Sequence, residues 1–155
     1  MKTTTKLKRV LLCFILLLVI SGLTAFPVRT EIDFLIKHIG SFPPALQEWI
    51  KHLKSSIDAT PDVILYGTDW LAFAHIVIAM FFIPVYLDPV KYKLNVIVGM
   101  IACLGVFPLA FICGPIRGIP FFHQLIDCSF GLGGIALLFW VYTLINQIER
   151  KKLNW

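Results

Sequence analysis

Four long apolar stretches govern what this chain can fold into. They run from Val10 to Phe26, from about Thr68 to Leu87, from about Leu94 to Cys113, and from Phe121 to about Ile148. Crossing the hydrocarbon of a bilayer takes about 17–25 predominantly apolar residues in a helix. All four meet that length, the first at its lower limit. Only a helix or a closed barrel satisfies its own backbone in lipid. The stretches read as helices. The expected fold is therefore all-α: an integral membrane bundle of four transmembrane helices, in a single domain covering residues 1–155.

Composition supports this. Of the 155 residues, 58% are hydrophobic and only 15% charged, where soluble domains carry about a quarter. A soluble core of this size cannot hide so much apolar surface. The net charge of +5 does not point to nucleic acid, because the cations sit at the ends of apolar stretches rather than on one polar face. They read as topology signals and headgroup contacts. The partner they imply is the lipid bilayer, with another membrane protein or a second copy of the chain as further partners.

The start, Lys2 to Arg9 followed by Val10–Phe26, has the form of a signal peptide or a first span. Leu23 is a poor small residue for cleavage after Ala25, which favours a retained span. Residues 27–67 are more polar and hold two amphipathic patterns. Over Thr30–Gly40, Ile32, Leu35, Ile36 and Ile39 share a face, with Thr30 as cap, Asp33 in the reciprocal position and Gly40 as stop. After Pro43-Pro44, Leu46, Trp49, Ile50, Leu53 and Ile57 form a second stripe, with Glu48, Lys51, His52 and Lys54 off it. Two settings suit such helices, the membrane surface or the outer end of the bundle.

Orientation follows from Lys and Arg. Lys2, Lys6, Lys8, Arg9, Lys91, Lys93, Arg150, Lys151 and Lys152 fall on one side, nine of the fourteen. The positive-inside rule puts both termini in the cytoplasm and the 27–67 segment outside. The expected location is a bacterial inner membrane, with a multi-pass topology.

Ionisable groups at membrane depth are costly and mark candidate sites. Asp69, His75, Arg117, His123 and Asp127 all fall in the outward half of spans two to four. Taking Thr68 and Phe121 as outer ends, His75 lies roughly 10 Å in and Asp127 roughly 9 Å. Three readings follow. In the first, the group is a polar network that sets helix register. In the second, His75 and His123 with Asp69 or Asp127 hold a metal or haem, although no H-x-x-x-H spacing sharpens this and no cofactor is specified. In the third, Arg117, Asp69 and His123 bind a lipid headgroup or small substrate while His75 or Asp127 acts as base. An oligomeric proton or ion pathway is a further possibility.

The nucleophile search is thin. Ser129 has no G-x-S-x-G setting. Cys13, Cys103, Cys113 and Cys128 form no C-x-x-C pair and read as small buried residues, with a Cys113–Cys128 bridge as the one disulfide considered. Gly99 with Cys103, and Ser129 with Gly133, offer small surfaces for close helix contact. The leading functional expectation is a non-catalytic membrane component: a scaffold, an accessory subunit or a lipid binder. The alternative is an enzyme or metalloprotein acting at the outer leaflet.

Overall fold

The computed structural model describes the backbone of residues 2–153 and the side chains of residues 2–151. The side chain of Lys152, one of the nine cations counted above, lies outside the described residues. Helix accounts for 87% of the chain and no strand occurs among the described residues, so the all-α expectation holds. Four helical stretches are long and apolar enough to cross a membrane: Lys2–Ala25, Asp62–Leu87, Lys93–Ile116 and Phe121–Lys151. In the third of these only 11% of the most apolar window is buried. Leu94, Val98, Ile101 and Leu104 all face outward from it, an arrangement that water penalises and lipid does not.

The first stretch is helix α1, Lys2–Ala25. Two short helices follow, α2 over Val28–Lys37 and α3 over Pro44–Asp58. The second stretch is α4, Asp62–Met80, continued by α5, Ile83–Leu87. The third is α6, Lys93–Pro108, then a widened π turn over Leu109–Cys113 and the short α7, Gly114–Ile116. The fourth is α8, Phe121–Leu153.

Prolines punctuate these elements. Pro84 has no N–H for the Met80 carbonyl, and its ring crowds that carbonyl. Helix α4 ends at Met80 accordingly, and α5 resumes with Pro84 in its first turn. The break leaves the Phe81 carbonyl without a helical partner, and Asn95 Nδ2 donates to it at 2.9 Å. In lipid an unpaired carbonyl is costly, so this side chain repairs the kink. Pro115 likewise has no N–H to offer the Phe111 carbonyl, and the backbone widens into the π turn just before it.

The loop after α7 closes with a Schellman motif. Ile119 N–H bonds Gly114 O at 2.9 Å and Gly118 N–H bonds Pro115 O at 3.1 Å. Gly118 takes φ +69°, the left-handed position such a cap requires. Pro120 then opens α8, its carbonyl accepting from the His123 and Gln124 N–H groups.

Contacts group the chain into two compact units. One joins the residues up to Leu16 with those from Met80 onward; the other is Leu17–Ala79. In the first, α6 packs along α8. A Cβ on Gly131 would meet the Cys103 carbonyl at 2.9 Å, and one on Gly134 would meet Cys103 Sγ at 2.7 Å. A Cβ on Gly99 would strike Phe82 and Leu138. Gly99 and Cys103 therefore act as the small surface expected of α6. On α8 the small residues are Gly131 and Gly134, whereas Gly133 meets nothing within 4 Å. Ser129 is exposed and turns its hydroxyl onto its own helix. The core of this unit also holds Leu7, Leu11 and Phe14 of α1, Val85, Val96, Leu138, Val141 and Ile145. Phe14 and Phe82 meet edge to face at 4.9 Å.

In the second unit, α2 packs on α3. Ile32 and Ile50 are the buried members of the two apolar stripes. Lys54 joins them, donating to Asp33 of α2 at 2.9 Å and to Asp58 at 2.7 Å. The expected Thr30 cap does not form: α2 begins at Val28, and the carbonyl of Pro27 takes the first bond, from Glu31 N–H. Gly40 falls within a single 3₁₀ turn, Ile39–Ser41. Gly22 lets α1 approach α4, since a Cβ there would lie 2.7 Å from the Ala72 carbonyl.

Candidate functional site

Asp69 and His75 belong to the Leu17–Ala79 unit; Arg117, His123 and Asp127 belong to the other. Helix α4 starts at Asp62, not at Thr68. The Pro61 carbonyl accepts from the Ile64 and Leu65 N–H groups of its first turn, and the Asp62 carboxylate suits the positive end of a helix dipole. Measured from that start, Asp69 lies about 10 Å along the helix and His75 about 20 Å. The sequence estimate took Thr68 as the outer end of the span, six residues after the helix start. Residues 62–67, expected in the polar segment, are the opening of the apolar helix.

His75 is half-buried, and its Nδ1 lies 2.9 Å from the Leu71 carbonyl one turn back. A carbonyl accepts, so Nδ1 carries the proton and Nε2 is the basic nitrogen of the neutral ring. Asp69 lines a hollow of about 390 Å³ with Arg29, Asp62, Tyr66 and the Phe26–Val28 corner. Arg29 Nη2 pairs with Asp62 Oδ1 at 2.9 Å and reaches the Thr60 carbonyl at 3.3 Å. Asp69 also borders an adjoining hollow of about 210 Å³ with Phe26, Tyr66, Trp70 and Phe73. Asp69 therefore lines both a hollow that carries the Arg29–Asp62 pair and an aromatic one beside it.

In the other unit, His123 Nε2 lies 3.8 Å from Asp127 Oδ1, one turn apart on α8. Both side chains are partly exposed, His123 at 34% and Asp127 at 46%. This is an ion-pair distance, longer than a hydrogen bond. Arg117 is exposed at the end of α7. Two donors on one helix turn are fewer than the three or four protein ligands of a zinc site. No group of three or more His, Cys, Asp or Glu side chains placed to hold a metal occurs among the described residues.

Several polar residues at span depth are engaged by their own backbone. Thr68, Ser129 and Thr143 donate to carbonyls three residues back at 2.6–2.7 Å. This is the ordinary fate of a hydroxyl within a helix. All four cysteines are free thiols, Cys113 exposed and Cys128 buried, so the considered bridge is not formed.

Sequence reasoning passed over two residues. Gln124 is 4% exposed, its Nε2 donating to the Ile119 carbonyl at 2.8 Å. Its side chain fills the space that a Cβ on Gly114 would take. A lone glutamine in a run of apolar residues just after a Gly-Pro loop was the available signal. Arg29 is the other, and only the position of Asp62 at a helix start hinted at it.

A different cluster emerges at the opposite end of α8. Lys6 lies over the Trp140 ring at 4.8 Å, Lys8 over Tyr86 at 4.7 Å and Lys93 over Tyr142 at 5.2 Å. Lys93 also donates to Glu149 at 2.6 Å, and Lys91 covers Tyr92 at 5.4 Å. Two basic segments, distant in sequence, thus converge at one end of this unit with aromatic rings beneath their ammonium groups.

Compared with known protein families, curated proteins and solved structures, the chain matches none.

Proposed function

We propose that this chain is a multi-pass membrane protein with a non-catalytic role, a scaffold or accessory subunit in contact with lipid. The convergence of Lys6, Lys8, Lys91 and Lys93 onto Trp140, Tyr86, Tyr92 and Tyr142 carries the reading. Cations above aromatic rings at the end of long apolar helices are the pattern of a membrane–water interface. By the positive-inside rule this end is cytoplasmic and holds both termini. The α2–α3 pair and the Gly118 loop then lie outside, and a bacterial inner membrane fits best. His75 bonded to Leu71 within α4, and Gln124 bonded to Ile119 and packed on Gly114, support a structural role for these groups.

A second reading is favoured by the Asp69 hollow. There an outward polar site would use Asp69, Arg29, Asp62 and Tyr66, while His123 and Asp127 form a separate pair in the other unit. One rescue experiment separates the two. In the native host, His75→Ala, Asp127→Asn and Asp69→Asn are each expressed in place of the wild-type chain, with insertion checked in membranes. The scaffold reading predicts that every inserted variant restores the deletion phenotype. Failure of inserted Asp69→Asn alone would favour the outward site. Failure of inserted His75→Ala or Asp127→Asn would restore the catalytic alternative.

A further inference from the structure

A hollow of about 560 Å³ opens at the basic end, lined by Thr4, Thr5, Lys8, Arg9, Leu12 and Tyr86. Helical spacing assembles it. Thr4 and Lys8 are four residues apart, as are Thr5 and Arg9, so hydroxyl and cation pairs sit side by side on α1. Leu12 continues the Lys8 row one turn deeper, toward the apolar body of the helix. Tyr86 of α5 forms the facing wall, with Lys8 Nζ 4.7 Å from its ring centre. None of the lining residues is acidic. The neighbouring cation differs in this respect, since Lys93 is already neutralised by Glu149 at 2.6 Å.

We infer that this hollow binds the phosphodiester headgroup of an anionic phospholipid. Lys and Arg together make charge-assisted bonds to phosphate oxygens, and the Thr4 hydroxyl adds a neutral donor. The order along α1, hydroxyls and cations first and Leu12 after, matches the order of a phospholipid from headgroup to acyl chain. An inorganic phosphate would use the first part only. The inference rests on the membrane reading above, with the Lys8 end in the headgroup layer.

The test uses the full chain purified in a neutral detergent. Short-chain phosphatidylglycerol, phosphatidylcholine and inorganic phosphate are titrated separately, and bound ligand is counted by native mass spectrometry. The expected result is one tight phosphatidylglycerol per chain, weakened about tenfold by Lys8→Gln or by Arg9→Gln. Lys151→Gln removes the same charge from the same end but lies outside the hollow, and leaves the affinity unchanged. Equal weakening by Lys151→Gln would reduce the effect to general surface charge and overturn the site. Phosphatidylcholine binding as well as phosphatidylglycerol, or inorganic phosphate binding as tightly as the lipid, would also overturn it. A chain that stays monodisperse without detergent would instead sink the membrane reading. The titration run on that chain would still decide whether the hollow takes the lipid.

Discussion

Asn95 shows how one side chain can maintain a membrane helix that its own sequence interrupts. Its amide serves the Phe81 carbonyl that the Pro84 break sets free. Removing it leaves a carbonyl unpaired in apolar surroundings, at a cost of about 1–3 kcal/mol. Asn95→Leu is therefore expected to lower thermal stability in detergent by that amount. Pro84→Ala gives the chain back its N–H, so the same substitution should cost less in that background. A double-mutant cycle reads the difference, and strict additivity would contradict the account. Glycines supply a second contrast. Gly131→Ala pushes a Cβ to 2.9 Å from a backbone oxygen of α6, whereas Gly133 has open space. The first should destabilise by about 1–3 kcal/mol and the second should not. The distinction was not legible beforehand. A four-residue spacing pointed to Ser129 and Gly133. Each residue turns the helix by about 100°, so the buried row through Cys128, Gly131 and Leu138 passes Gly133 by. Only packed neighbours reveal which row is inward.

At the level of elements, apolar length located all four long helices, and the Pro43-Pro44 start of α3 was also readable. Their ends were less so. Pro61-Asp62 carried a helix start, but the apolar window drew attention to Thr68, and the opening of α4 was assigned to the polar segment. The candidate residues were found as ionisable groups near apolar runs; their partners were not, because partners depend on rotamer and helix rotation. Two predictions belong here. The Arg29–Asp62 pair bridges the starts of α2 and α4, yet Arg29 is 46% and Asp62 94% exposed. Such pairs contribute little, so Arg29→Gln should change the melting midpoint only marginally. Lys54 differs in making two ion pairs. Hydrogen bonding to Asp58, then to Asp33, raises its pKa above the ordinary lysine value of 10.5. A raised pKa means that its contribution is complete below that value and is lost as pH rises through the higher, folded-state one. Circular-dichroism melts across the lysine range should show an alkaline loss in the wild-type chain that Lys54→Gln lacks. The same alkaline loss in both would contradict the assignment.

For the molecule as a whole, charge and apolar length together sort the chain into ends. The Lys and Arg count proposed one basic side from sequence order alone. The structure adds that two of the basic segments, Lys6–Lys8 and Lys91–Lys93, place their ammonium groups over aromatic rings, and that Lys93 also reaches Glu149 beside the third. That meeting needed tertiary placement and was invisible in any single segment. Cations over rings suit a headgroup layer, and the proposal places this end on the cytoplasmic side. The most direct test is thiol labelling from one side. With the native cysteines replaced, Ser41→Cys, Ile119→Cys and Lys91→Cys are introduced singly, and intact cells are treated with a membrane-impermeant maleimide. The account predicts labelling at positions 41 and 119, and labelling at 91 only after permeabilisation. Labelling of all three in intact cells, or of 91 alone, would contradict it.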